Sequence, residues 1–110
     1  MNLRIELKSG VMTASLRGEL DHHTAGALRE EIDSTAQKVK PTLLRLDFSE
    51  VPFMDSSGIG VVLGRYRLLC LRGGSVALMH LTPQVRRIYD LSGMAQIIPV
   101  IEEKEAQGCN

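Results

Sequence analysis

The stretch from Thr42 to Met79 constrains the fold most, because the spacing of its apolar residues changes twice along it. Thr42-Leu43-Leu44-Arg45-Leu46-Asp47-Phe48 has the length and apolar content of a buried strand. After it, Ile59, Val62, Leu63, Tyr66, Leu69 and Cys70 recur at spacings of three and four, which predicts an amphipathic helix to about Leu71. Gly73-Gly74 stops that helix, and Ser75 to Met79 reads as a second buried strand. Two strands joined through a helix pair in parallel, with a right-handed crossover. The chain is therefore expected to carry an α/β sheet.

The flanks extend this reading. Leu3, Ile5 and Leu7 alternate with polar residues, as do Met12, Ala14 and Leu16, and Ser9-Gly10 between them signals a tight turn, so the chain opens on a β-hairpin. Ala25, Leu28, Ile32, Thr35/Ala36 and Val39 form a helical stripe from about Thr24 to Val39. Asp21 and Thr24 are its cap candidates, and Pro41 closes it. Pro83 begins a short helix through Val85, Ile88 and Leu91, which Gly93 ends. Ile97-Ile98 reads as a last short strand, followed by an acidic, helix-prone tail from Glu102 to Gln107. The expected architecture is a small α/β domain with a mixed β-sheet and three to four α-helices packed mainly on one face. All 110 residues are read as a single domain, 1–110.

Bulk properties exclude several function classes. The 13 basic and 13 acidic residues cancel, which gives no electrostatic case for nucleic acid or an anionic membrane. No apolar run approaches the roughly 20 residues needed to span a bilayer. The N-terminus lacks a basic region followed by an apolar stretch, so no signal peptide is expected. Two cysteines, Cys70 on a helical stripe and Cys109 in the tail, suggest a reduced compartment without a disulfide framework. The chain reads as cytoplasmic and soluble.

The chemistry concentrates where the first buried strand hands over to its helix, at Asp55-Ser56-Ser57-Gly58-Ile59-Gly60. A helix start leaves backbone N–H groups without partners and carries partial positive charge, so an anion is favoured there. Serine in that place serves as an N-cap or as a residue that receives a phosphate. Gly58 and Gly60 have low helix propensity, and they offer a backbone that another molecule can approach closely. Ser56 also falls beyond the carboxyl end of a parallel strand, where open α/β sheets place their ligands.

Alternative chemistries find little support. The Gly-x-Ser-x-Gly elbow is absent, and neither serine has a base and orienting group in evident reach. His22, His23 and His80 are the three imidazoles, none at metal-ligand spacing with a Cys or carboxylate, and they read as solvated, capping or contact residues. The glycines lack the Gly-Lys-[Ser/Thr] ending of a P-loop, which weakens a nucleotide-binding reading. Asp55 as an acceptor in a receiver-like domain would need an acidic pair after the first strand and a lysine near the last. Ile97-Ile98-Pro99 carries no lysine. No catalytic residue, cofactor or metal is assigned, and the chain is not read as an enzyme.

Three blocks carry a family resemblance. Phe53 to Tyr66 resembles the phosphorylation segment of the anti-sigma factor antagonists, the anti-anti-sigma factors of the SpoIIAA type built on the STAS domain. Gly18-Glu19-Leu20-Asp21-His22-His23-Thr24-Ala25 is similar to the block before that family's first helix, and Leu81 to Gly93 to its late helix and glycine stop. The resemblance implies phosphorylation at Ser56 by a partner kinase that is itself the anti-sigma factor, and removal by a metal-dependent serine phosphatase. It implies that the unmodified form binds the anti-sigma factor and releases the sigma factor. Glu19, Asp21, His23, Thr24, Asp55, Ser57, Gly58 and Gly60 are the expected partner surface. The match is closest to the sporulation branch; a STAS module of another serine-kinase stress-signalling assembly is the alternative.

Overall fold

The structure, a computed structural model, describes residues 2–101, so the expected acidic tail and Cys109 lie outside the described residues. Strand β1 (Asn2–Lys8) turns through Ser9-Gly10 into β2 (Val11–Arg17), and helix α1 (Ala25–Val39) follows. Then come β3 (Leu43–Glu50), α2 (Ser56–Leu71), β4 (Ser75–Met79), α3 (Pro83–Ser92) and β5 (Val100–Ile101). The sheet order is β1-β2-β3-β4-β5, with β1 antiparallel to β2 and every later pairing parallel. The mixed sheet and the β3–α2–β4 crossover are as the changing period predicts.

Period-two alternation sorts the strands into two faces. Met12, Ala14, Leu16, Leu44, Leu46, Phe48, Val76 and Leu78 are buried in one cluster with Leu28, Ile32, Val62, Leu69, Val85 and Tyr89 of the three helices. The helices therefore cover one face. The opposite face is polar through the middle of the sheet, where Arg45 Nε donates to Thr13 Oγ1 at 3.0 Å and His80 Nδ1 meets Asp47 Oδ1 at 3.2 Å. The alternation read for β2 holds, but β3, expected as a buried strand, also alternates, with Leu44, Leu46 and Phe48 buried and Leu43, Arg45 and Asp47 half-buried. Among the described strands β4 alone is buried on both faces.

Some helix faces differ from the sequence reading. In α2 the buried positions are Gly58, Val61, Val62, Arg65 and Leu69, whereas Tyr66 is half-buried, Cys70 is exposed and Leu71 is 78% exposed. This helix is apolar nearly all round, so spacing alone does not choose which apolar face turns inward. The inward face is the one carrying Gly58, which packs on Met54 and Leu20, whereas Gly60 is exposed and Gly64 half-buried. Arg65 is buried with it, because Nε lies 2.8 Å from Oδ1 of Asp33 on α1 and ties the two helices together. Burial pulls the guanidinium down from its ordinary value, Asp33 opposes that and Arg29 adds to it. In α1 the stripe holds except for Val39, which is exposed at the helix end.

At the C-terminal end the correction is larger. Leu91 is 76% exposed, and Tyr89 takes the core position, with its hydroxyl donating to the Ile98 carbonyl at 2.6 Å. A 3-10 turn at Met94–Gln96 follows Gly93, so Ile97 and Ile98 lie in a loop, and the last strand is displaced to Val100–Ile101. Ile98 is fully buried as a plug rather than as a strand residue. Burial also raises the Tyr89 phenol above its ordinary value.

Candidate functional site

The start of α2 is built by three chain segments. Gly18, at φ 110°, redirects the chain after β2, and Leu20 then pairs with Met54 as a short parallel bridge. Leu20 N–H donates to the Phe53 carbonyl at 3.0 Å, and Asp55 N–H to the Leu20 carbonyl at 3.2 Å. The two blocks at 18–25 and 53–66, far apart in sequence, are thereby joined, with Asp21 and Asp55 each next to a bridge residue. From the other side α3 holds the same loop. The side-chain amide of Gln84 accepts from Met54 N–H at 2.9 Å and donates to Met54 C=O at 3.1 Å. The Thr82 hydroxyl donates to the Val51 carbonyl at 2.7 Å.

Asp55 is the cap of α2. Its Oδ1 accepts from Ser57 N–H at 2.8 Å, which satisfies one of the helix's orphan donors. Ser56 is the first helical residue and is exposed, and among the described residues its hydroxyl makes no hydrogen bond. Capping and phosphate acceptance are thus divided between neighbours: the carboxylate caps, and the serine hydroxyl stays available at the positive end of the helix. Ser57 is half-buried behind it.

The two glycines do different things. Gly60 is exposed, with open space where a side chain would stand. Gly58 is buried, contrary to the expectation of an open backbone. A Cβ there would stand 2.7 Å from Met54 Sδ and 3.1 Å from Leu20 Cδ2. It is the fit of α2 onto its own loop that requires glycine at 58. In the loop before the helix, Met54 is core and Phe53 is 41% exposed.

The 19–24 turn is pinned by its own polar groups. Asp21 Oδ1 accepts from His23 N–H at 2.9 Å and from Thr24 N–H at 3.2 Å. Thr24 Oγ1 accepts from Asp21 N–H and donates to the Glu19 carbonyl, both at 3.0 Å. Thr24 occupies the cap position of α1 without a side-chain bond into that helix, so its hydroxyl serves the turn instead. The His23 N–H holds the Asp21 carboxyl below its ordinary value; desolvation is the next largest influence and opposes it, while Thr24 and the His23 ring add to the lowering. Glu19, His22 and His23 are exposed, and the two histidine rings lie 3.9 Å apart in the turn.

Gln84 and Thr82 were missed as site-building residues. Their partners lie 30 and 31 residues away, and a polar residue in the first turn of a helix carries no mark of a contact at that distance. The adjoining Pro83 at the helix start is the one local signal that this turn is held in place.

Fold and site define a small α/β domain that presents an exposed serine at a helix N-terminus on a scaffold-held loop. The chain matches the STAS domain model over residues 2–107 and belongs to that family. It is 41% identical over 106 residues to the anti-sigma F factor antagonist of Paenibacillus polymyxa, covering 94% of this chain and 91% of that protein. It is 30% identical over 107 residues to the anti-sigma-B factor antagonist of Bacillus subtilis strain 168, covering 96% of each. Among solved structures it resembles the anti-sigma factor antagonist SpoIIAA in its unphosphorylated form, with a TM-score of 0.82 and 33% identity over 96% of this chain and 92% of that one. Bacillus SpoIIAA in the phosphorylated form matches with a TM-score of 0.75 and 31% identity over 98% of each chain.

Proposed function

We propose that this protein is an anti-sigma factor antagonist, a single-domain cytoplasmic binding module rather than an enzyme, switched by phosphorylation at Ser56. The unmodified form binds an anti-sigma factor serine kinase and releases the sigma factor. The kinase transfers phosphate from ATP to the Ser56 hydroxyl, and a metal-dependent serine phosphatase removes it. The observation that carries this reading is the division of labour at the start of α2, where Asp55 caps the helix and leaves the Ser56 hydroxyl exposed and unengaged. The names of the relatives support the class of partner.

The switch follows from charge. Phosphate adds about −1.5 to −2 charges at neutral pH. The helix dipole and orphan N–H groups offset part of that charge, so the fold tolerates it. A partner closing over Ser56 would instead desolvate a dianion beside the Asp55 carboxylate, and such like-charge contacts cost several kcal/mol in an interface. About 4 kcal/mol is a thousandfold change in affinity. Phe53, Gly60 and the exposed Glu19 and His23 of the neighbouring turn are the surface such a partner would meet, with Asp21 and Thr24 shaping that turn.

Titration of the anti-sigma kinase with unmodified protein, Ser56→Ala and phosphoprotein tests this. Ser56→Ala is expected to bind like the unmodified form, and the phosphoprotein to bind at least about a hundredfold more weakly. Equal affinity of modified and unmodified protein would defeat the switch. The sigma F name on the 41% relative favours the sporulation branch, and the sigma-B names favour a stress-signalling assembly as the second reading.

A further inference from the structure

Strand β1 forms one edge of the sheet, and among the described residues it pairs only with β2. It is seven residues long and contains no proline, and its pairing with β2 is unbroken from Asn2↔Arg17 to Lys8↔Val11. Such an edge is a template for another strand unless something blocks it. The usual block is charge, and β1 carries Arg4, Glu6 and Lys8 on the polar face. Their order, however, is self-complementary.

The backbone decides which groups face outward. The β1–β2 loop is the two-residue turn Ser9-Gly10, with φ of 51° and 80°, the signature of a type I′ hairpin whose closing pair exchanges both hydrogen bonds. Lys8, Glu6, Arg4 and Asn2 therefore direct their N–H and C=O groups at β2. Leu7, Ile5 and Leu3 direct theirs away from the sheet. An antiparallel strand added to this edge bonds to those three residues.

We infer that β1 pairs antiparallel with β1 of a second copy about a two-fold axis at Ile5, joining two five-stranded sheets into one of ten strands. In this register Ile5 meets Ile5 and Leu3 meets Leu7 on the apolar side, while Arg4 meets Glu6 and Asn2 meets Lys8 on the polar side. Each outward-facing residue forms a hydrogen-bonded pair, as the geometry requires. A shift of two residues one way sets Arg4 against Arg4, and two the other way sets Glu6 against Glu6 and Arg4 against Lys8. A shift of one residue sets charged side chains opposite apolar ones. Among the registers that pair five or more residues of the strand, charge and parity together select this one, which alone pairs all seven. The pairing also covers Leu7, which is 52% exposed beside Val39 and Pro41 in an open apolar recess. Ser56 and Asp55 lie outside this edge, so the inference stands apart from the proposed function.

A charge-swap experiment by sedimentation equilibrium tests it. Arg4 and Glu6 face Ser15 and Thr13 within the sheet, so reversing either charge disturbs no ion pair among the described residues. The wild-type chain is expected to dimerise at concentrations up to about 1 mM. Arg4→Glu and Glu6→Arg each place two like-charge pairs in the interface and are expected to weaken the dimer about tenfold or more. An equimolar mixture of the two variants restores opposite charges at both pairs, and it is expected to form a heterodimer of wild-type strength. Recovery in the mixture also shows that the variants are folded. A wild type that stays monomeric throughout, single variants that dimerise like the wild type, or a mixture that remains monomeric would each overturn the inference.

Discussion

Two glycines on one helix, two positions apart, are expected to respond to the same substitution with opposite sign. At Gly60 nothing lies within 4 Å of an added Cβ, and the position is exposed. Gly60→Ala gains helix propensity and restricts the unfolded chain, so it is expected to stabilise by about 0.5–1 kcal/mol. Gly58→Ala gains no more than that, and its methyl group enters a filled space. Met54 is 1% exposed, Leu20 is fully buried, and their atoms stand 2.7 and 3.1 Å from the new Cβ. The loop backbone is held by Leu20 and Gln84, so relief has to come from the Met54 side chain, which is itself closed in by the core. Overpacking of a closed core costs about 1–3 kcal/mol, which exceeds the propensity gain and leaves a net loss of about 1–2 kcal/mol. Urea unfolding followed by circular dichroism, with unchanged m-values, reads both variants. If Gly58→Ala were as stable as wild type, or Gly60→Ala the less stable of the two, the close packing of α2 on its loop would be wrong.

One further substitution and one titration probe the scaffold. Gln84→Ala leaves both Met54 backbone groups without their side-chain partner and is expected to cost about 1–3 kcal/mol, with faster amide exchange at Met54; a change within a few tenths of a kcal/mol would mean the clamp is not made. Asp21 binds N–H donors in its charged form, so its folded pKa lies below the unfolded value of about 3.9. Its contribution is full above that value and is lost as pH falls through the folded pKa. The His23 and Thr24 amide resonances are expected to titrate with a midpoint below about 3.9, and a midpoint at or above it would contradict the turn.

What was legible in the sequence is what local pattern encodes. Alternation placed the hairpin, and the change of period around Asp55 placed the β3–α2–β4 crossover and the serine at the helix start. The inner face of α2 was legible only in part: Val62 and Leu69 of the expected stripe are buried and Ile59, Leu63 and Tyr66 pack partly against the core, but Cys70 is exposed and Gly58, Val61 and Arg65 take inner positions. What decides it is the fit of Gly58 and the Arg65–Asp33 contact, and both depend on neighbours from other segments. The last strand was misplaced because Ile98 is apolar for a different reason: it is a fully buried member of the core cluster in the loop after the 3-10 turn. At the site, the residue types at 55 to 57 were readable, but the assignment of the cap to Asp55 needed the backbone geometry. Gln84 was invisible as a support because both of its bonds span 30 residues.

The account rests most heavily on Ser56 as the single acceptor. The direct measurement is to incubate the protein with its anti-sigma kinase and ATP and map the phosphate by mass spectrometry, with Ser56→Ala and Ser57→Ala in parallel. The account predicts acid-stable phosphate on Ser56 in the wild type and in Ser57→Ala, and none in Ser56→Ala. Phosphate on Ser57 with Ser56 intact, an acid-labile phosphate on Asp55, or no phosphate from a kinase shown to be active would contradict it.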